Sequence, residues 1–386
     1  MTNSIALARE QEIFAVAETT RGTLVFPAAS DFIIGAGFAG IGQQPSFSKS
    51  KEVLNTRDVI ARVMDRFKSG EWEIPIYARP SGSLGSKPMA AVLFKCLMGV
   101  EAVNAGVSVV YSQAKEKPSF SLWIRKDHTV FFARGCTASK MKAELQTGGN
   151  VELTLSGGFM EMGWIGSDDT TALEPISETT IAVTDAKKFI PGGKAQFRLA
   201  AGTVYNNTAA GYAITGVNYA GNTVTITPGL EAAVASGSTI EPFLPAGTTT
   251  SFPIPASACK AQVGGADRNV TVYSYEISDP VNYLDKEITS TGFPEGYVEG
   301  QRDITGELGF LFRRDDLHFF YDGRNDSKLN LKMICGNVAG KIMEVNSPYS
   351  SVNIPKPEEV DETIETKLDF LAVGSAGEDS ATITFK

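Results

Sequence analysis

The sequence predicts a mainly β protein: two tandem β-sandwich or barrel modules, each with a short flanking helix, plus a small inserted β domain. Three observations lead there. Only 20% of residues are charged, below the roughly 25% usual for soluble chains, and Thr, Ser, Gly and Asn fill the gap. Apolar residues alternate with period two in segment after segment, and the final third repeats the plan of the first. The 38 Gly and 18 Pro supply the turns such a fold needs.

The 386 residues are enough for two or three domains at roughly 100–200 residues each. We divide them into an N-terminal arm (1–47), a first module (48–175), an inserted domain (176–247) and a second module with a C-terminal strand (248–386).

The arm reads as irregular. Its apolar clusters, Ile13-Phe14, Leu24-Val25-Phe26 and Phe32-Ile33-Ile34, are split by Gly, Pro and Ser, so it needs a sheet edge or a neighbouring subunit for burial. It also holds GAGFAG at 35–40, a literal GxGxxG. A dinucleotide site requires a helix to open at that turn, whereas Gly42, Pro45 and two serines follow. A flexible glycine-rich loop is the expectation.

From Val53 to Tyr77 the pattern becomes β-like. In GEWEIPIY (70–77), Trp72, Ile74 and Ile76 share one face, and Pro75 indicates an edge or bulge. A helix follows: Ser86 as cap, Pro88 in the first turn, an apolar stripe of Met89, Val92, Leu93, Cys96 and Leu97, and Gly99 as terminator. Strands are expected over Phe120–Phe132 and Met141–Phe159, where Val151, Leu153 and Leu155 alternate.

Composition shifts after Gly166. Leu199 to Leu230 contains no charged residue and reads as short strands, with NYAGN as a hairpin loop between AITGV and TVTIT. A Thr-, Ser- and Pro-rich stretch, Gly247 to Ala258, leads back to the main body.

The last third echoes the first. GELGFLF (306–312) resembles GEWEIPIY, and each follows an Arg-Asp pair, Arg302-Asp303 and Arg57-Asp58. Asp315 can cap a helical turn bearing Leu317, Phe320 and Tyr321 before Gly323. KLNLKMICG and GKIMEV follow, and TIETKLDFLAV alternates at Ile364, Leu368 and Phe370.

Chemistry-bearing constellations are sparse. The two histidines, His128 and His318, have neither GxSxG nor HExxH around them. Asp168-Asp169 and Glu358-Glu359 read as solvated turns. Four dispersed cysteines, Cys96, Cys136, Cys259 and Cys335, lack zinc-site spacing and read as reduced core residues. No catalytic residue, cofactor or metal ligand is assigned. The net charge of −9 argues against sustained nucleic-acid binding, which requires clustered cations. The N-terminal MTNSIALAREQEIF carries no secretory pattern and no run is long enough to span a membrane, so folding in a reducing cytoplasm is expected. Carboxylates do mark the polar faces of candidate strands: Glu71, Glu73, Glu152, Glu307, Glu365 and Asp369.

The arm with AETTRGTLVFP, the segment VLNTRDVIARVMDRFKSGEWEIPIYARPSGS and the strands PSFSLWIRKDHTVFFARGC together resemble the tail tube, or major tail, proteins of long-tailed non-contractile bacteriophages. The resemblance covers most of the chain outside the insert. It implies a structural virion protein, made in the host bacterial cytoplasm, whose sandwich joins strands with neighbouring subunits. Stacked rings then surround a channel for DNA ejection. Two modules per chain imply a homotrimer with pseudo-sixfold symmetry, a hexamer being the alternative. The implied partners are the tail terminator, tail tip and tape-measure proteins. Genomic DNA would pass without specific binding, and the six carboxylates named above would face the channel. The insert looks like the decoration domains that some such proteins carry, with surface exposure or weak host adhesion as uses. Two other classes compete: a multi-domain β surface-binding protein of adhesin or lectin type, suggested by the Thr-rich insert, and a nucleotide-dependent enzyme resting on GAGFAG.

Overall fold

Segments with period-two alternation bury one face only when another layer covers it, and the chain satisfies this with stacked antiparallel sheets. The computed structural model describes residues 9–52, 58–59, 61–145, 148–199, 202, 204–205, 210–249, 251–286, 292–360 and 362–386. Residues 1–8 of the arm, Arg57 of the first Arg-Asp pair and parts of the insert lie outside them. Among the described residues there are two α-helices, Ala91–Met98 and His318–Arg324, and the fold is mainly β as expected. Neither helix is long and apolar enough to cross a membrane.

One layer consists of eight strands in the order Gly40–Gly42, Gly70–Tyr77, Glu152–Phe159, Lys140–Leu145, Val272–Ser278, Asp303–Leu311, Thr363–Ala372 and Lys356–Val360. Each is antiparallel to the next. The ladder passes from residues before position 160 to residues after position 271 at a single joint, Lys140–Leu145 against Val272–Ser278. The strand Met343–Val352 leaves the end of this layer and continues through Lys328–Cys335 to Cys259–Val263. The C-terminal strand Thr382–Phe385 inserts between Met343–Val352 and Ser108–Gln113, so it also ties late chain to early chain.

The expected core faces are buried. Trp72, Ile74, Ile76, Val151, Leu153, Leu155, Leu368 and Phe370 join Leu93, Phe94 and Leu97 of the first helix and Tyr273, Tyr275, Met333 and Ile383 in one continuous apolar cluster. Pro75 sits where the second neighbour of its strand runs out. Beyond the pairing with Gly40–Gly42, its carbonyl accepts from the Ala36 N–H at 2.8 Å, and its missing donor is not needed on that side.

Several expectations need correction. The arm is not irregular: Gln11–Ala17 forms a strand paired along its length with Phe120–Lys126, and Ile13 and Phe14 are shut off from water within the same chain. The glycine segment is tethered, with Gly35 bridged to Ile76, Gly40 paired with Glu73 and Ala39 fully buried. The first helix begins at Ala91 after an uncapped Ala90, so Ser86 is not its cap; Gly99, at φ 104°, ends it as expected. Ahead of the second helix Asp316, not Asp315, accepts from the Arg313 N–H at 2.8 Å. A preceding 3₁₀ turn, Arg314–Leu317, shifts the helical phase. Phe319 is therefore the buried residue, while Leu317 and Tyr321 are exposed.

A seven-stranded sheet runs from Asp168–Asp169 to Thr239–Pro242, with Tyr219–Asn222 joining the hairpin strands Tyr212–Asn218 and Thr223–Thr227. It packs Ile181, Phe197, Ile214 and Ile240 against Phe14, Trp123, Val130 and Phe132. Its core is therefore continuous with the sheet that contains the N-terminal strand.

Candidate functional site

The outward face of the eight-stranded layer is set by register. Starting from Glu71 opposite Gly158 and Glu73 opposite Ser156, the ladder carries Glu152 opposite Glu144, Glu144 opposite Ser274, Ser274 opposite Glu307, and Glu307 opposite Asp369. Glu365, opposite Leu311, shares the same parity. All six carboxylates singled out from the sequence thus lie on one face, opposite to Trp72, Leu153, Leu308 and Leu368.

The same face carries residues that the sequence reading missed. Glu144, Glu276 and Asp303 add negative charge, and Lys140, Lys142 and Lys367 add positive charge. Alternation in KMKAEL and VYSYEIS was the available signal. Lys140 meets Glu276 at 2.8 Å, Lys142 meets Glu144 at 2.5 Å and Lys367 meets Glu358 at 3.7 Å. Glu144 also holds the Lys142 ammonium above its usual range by accepting its hydrogen bond. Carboxylates still outnumber ammonium groups there, and like charges directly opposite each other, such as Glu307 and Asp369, repel.

Among the described residues, three hollows interrupt this face, the one beside Glu71, Glu73 and Ser156 measuring about 640 Å³. One of about 330 Å³ is lined by Tyr77, Lys142, Glu144, Asn150 and Glu152; another of about 630 Å³ is lined by Lys142, Glu276, Thr305, Glu307 and Asp369. The hollow at Glu152 has mainly polar walls, unlike the mostly apolar lining that grips small organic ligands, whereas Tyr275, Phe370 and Leu371 add apolar surface to the one at Glu307.

The edges of the layer are the second feature. In the second half, Phe312 donates its N–H to the Ile364 carbonyl at 2.8 Å, which fixes the alternation. Thr363, Glu365 and Lys367 turn their backbone groups toward Lys356–Val360, so Lys356, Glu358 and Val360 are bonded inward. Pro357 and Glu359 turn theirs outward. Every residue of this strand is exposed. Ile364, on the core-side parity of the neighbouring strand, is 52% exposed.

The first half shows the same ladder, but covered. Taking Glu71 as the counterpart of Glu307, the pairings make Gly158 the counterpart of Asp369, Ser156 of Lys367, Lys140 of Lys356 and Gly42 of Ser274. Met141 and Ala143 are then the counterparts of Pro357 and Glu359. Asp279 donates to the Ser139 carbonyl at 2.7 Å, so Met141 and Ala143 direct their backbone groups at Ile277 and Tyr275, and both are fully buried.

Other candidates are placed apart from this face. His128, 64% exposed, meets Asp127 in a turn, and His318 contacts the Asp315 carbonyl in the second helix. Asp168 overturns the solvated-turn reading. It is buried in a short strand, paired with Lys188 at 2.5 Å and accepting from the Asp185 N–H at 2.6 Å. Glu358-Glu359 is exposed as expected, but in an edge strand, not a turn.

No family model and no curated protein matches the chain.

Proposed function

We propose that this protein is the subunit of a bacteriophage tail tube, a structural protein that closes rings with copies of itself around a channel crossed by DNA. One observation carries the reading. The joint between Lys140–Leu145 and Val272–Ser278 lies inside the chain, while the counterparts of its two sides, Lys356–Val360 and the strand at Gly40–Gly42, are the outer edges of the same layer. An open edge invites another strand. Repeating the internal joint between copies sets Glu359 of one copy opposite Gln43 of the next, where both backbone hydrogen bonds can form. Three copies with two repeats each then close a ring of six.

The charge pattern supports the same arrangement. Duplex DNA carries about one charge per 1.7 Å, and an acidic wall repels it over a Debye length of about 8 Å at physiological salt. A face that mixes excess carboxylates with a few lysines keeps passing DNA in solution instead of holding it. Such a subunit belongs to the virion tail.

The edge gives the test. Glu359→Pro removes the outward N–H of a strand where Pro357 already lacks one, and leaves the inward bonds of Lys356, Glu358 and Val360 intact. Electron microscopy and mass photometry of the purified protein are expected to show rings with an open channel for the parent chain and single subunits for the variant. A compact monomer at all concentrations in the parent chain, or unchanged rings in the variant, overturns the proposal. Binding of glycans by an unassembled parent chain would favour a surface-binding protein instead.

A further inference from the structure

The cysteines differ in what faces them. Cys136 stands opposite Phe120 in its ladder and Cys96 lies on the first helix, both fully buried. Cys259 and Cys335 stand directly opposite each other, at the end of the antiparallel pair Cys259–Val263 and Lys328–Cys335. Both are thiols in this structure.

The neighbouring backbone fixes the kind of pair they form. Gly336 donates its N–H to the Ala258 carbonyl at 3.1 Å, so Ala258 and Gly336 are a hydrogen-bonded pair. Alternation makes Cys259 and Cys335 a non-hydrogen-bonded pair. In such pairs the Cα atoms stand about 4.5 Å apart and the side chains are closest, within the span of about 4.4–6.8 Å that a disulfide bridges.

Their surroundings are asymmetric. Cys335 is fully buried, whereas Cys259 is partly open to solvent. The Cys335 thiol donates toward Cys259 and lowers its proton affinity despite burial, with help from the Gly336 N–H. Cys335 itself is pushed well up by that same hydrogen bond and by burial. Attack in thiol–disulfide exchange comes from the thiolate, so the accessible sulfur is also the one readier to react.

We infer that Cys259 and Cys335 are a modification site, a dithiol that a small disulfide of the glutathione disulfide type converts into a cross-strand disulfide. Cys259 attacks one sulfur of the oxidant, whose S–S bond breaks and releases one thiolate that takes a proton from solvent. Cys335 then yields its proton, and its sulfur attacks the Cys259 sulfur of the mixed disulfide, expelling the second small thiol. The two cysteines lose two electrons and two protons, and the oxidant gains them as two thiols. The new bond staples the strand Cys259–Val263 to its neighbour Lys328–Cys335 once the protein leaves a reducing compartment.

Peptide mass mapping of the full-length protein after exposure to glutathione disulfide, without reductant, tests this. The expected product is a peptide linking Cys259 to Cys335 with loss of two hydrogens. Cys96 and Cys136 should still be alkylated after unfolding, and the thermal midpoint should shift upward. Cys335→Ser is expected to trap glutathione on Cys259, and Cys259→Ser to leave Cys335 unmodified in the folded protein. The wild-type map decides whether or not the variants fold. A wild-type product that stops at the mixed disulfide, a link between any other pair, or four surviving thiols overturns the inference.

Discussion

The Lys117 ammonium lies 2.7 Å from the Asp279 carboxylate, and the two side chains are 0% and 2% exposed. Arg302 shares that carboxylate at 2.6 Å and reaches Glu378 at 2.9 Å and the Ala114 carbonyl at 3.0 Å. Residues of the first third are thereby bound to residues of the last through one buried acid. Burial pushes Lys117 down from its ordinary range and Asp279 pulls it back. Removing one partner of a buried pair leaves the other charge uncompensated, so Asp279→Asn is expected to cost about 3–5 kcal/mol. Urea unfolding measures it, and adding Lys117→Met should recover part of the loss.

Glu344 makes a prediction for acid. It lies between Lys386 at 2.5 Å and Lys332 at 3.0 Å. Burial raises its pKa, but the two ammonium groups outweigh that and hold it below the usual carboxylate value. A depressed folded-state pKa means that the stabilisation is fully present above the unfolded value, about 4.3, and is lost as pH falls through the folded one. Glu344→Gln should cost about 1.5–3 kcal/mol at neutral pH, and its difference from the parent should shrink toward pH 3 in chemical denaturation.

Gly157 tests the packing behind the acidic face. A Cβ there would stand 1.9 Å from the Thr137 carbonyl, which accepts the Trp72 indole N–H at 3.1 Å. Gly157→Ala must displace backbone in the middle of a sheet, and a loss of about 1–3 kcal/mol is expected from such overpacking. Thermal unfolding reads it.

The acidic face makes a functional prediction. Glu71→Lys combined with Glu307→Lys should still allow rings, because both side chains point away from the core, but should slow DNA delivery by attracting the phosphates. An ejection assay at low salt, where screening is weakest, gives the largest contrast. Normal delivery by the double variant would remove charge on this face from the mechanism.

Much of the local fold was legible in the sequence. GEWEIPIY and VELTLSGGF alternate cleanly, and each buries the face that alternation selects. Gly99 stopped its helix because a positive φ suits glycine. QEIFAVA was missed. Its mixed periodicity resembles loop sequence, and its burial depends on a ladder with Phe120–Lys126, more than a hundred residues away. Asp168 was misread because a pair of carboxylates looks solvated until a partner such as Lys188 is brought beside it.

The sequence by itself determined which residues share a face. Side chains along a strand alternate with period two, so Glu71 and Glu73, Glu152, Glu307, and Glu365 and Asp369 each fall on the side of their own strand away from its apolar residues. Tertiary structure alone decided which strands became neighbours and which edges stayed open. KMKAEL and KPEEV are both short charged strands, yet one is covered by Val272–Ser278 and the other is bare. Backbone N–H and C=O groups make those ladders, and they are the same at almost every residue, so one strand read alone does not reveal its neighbour.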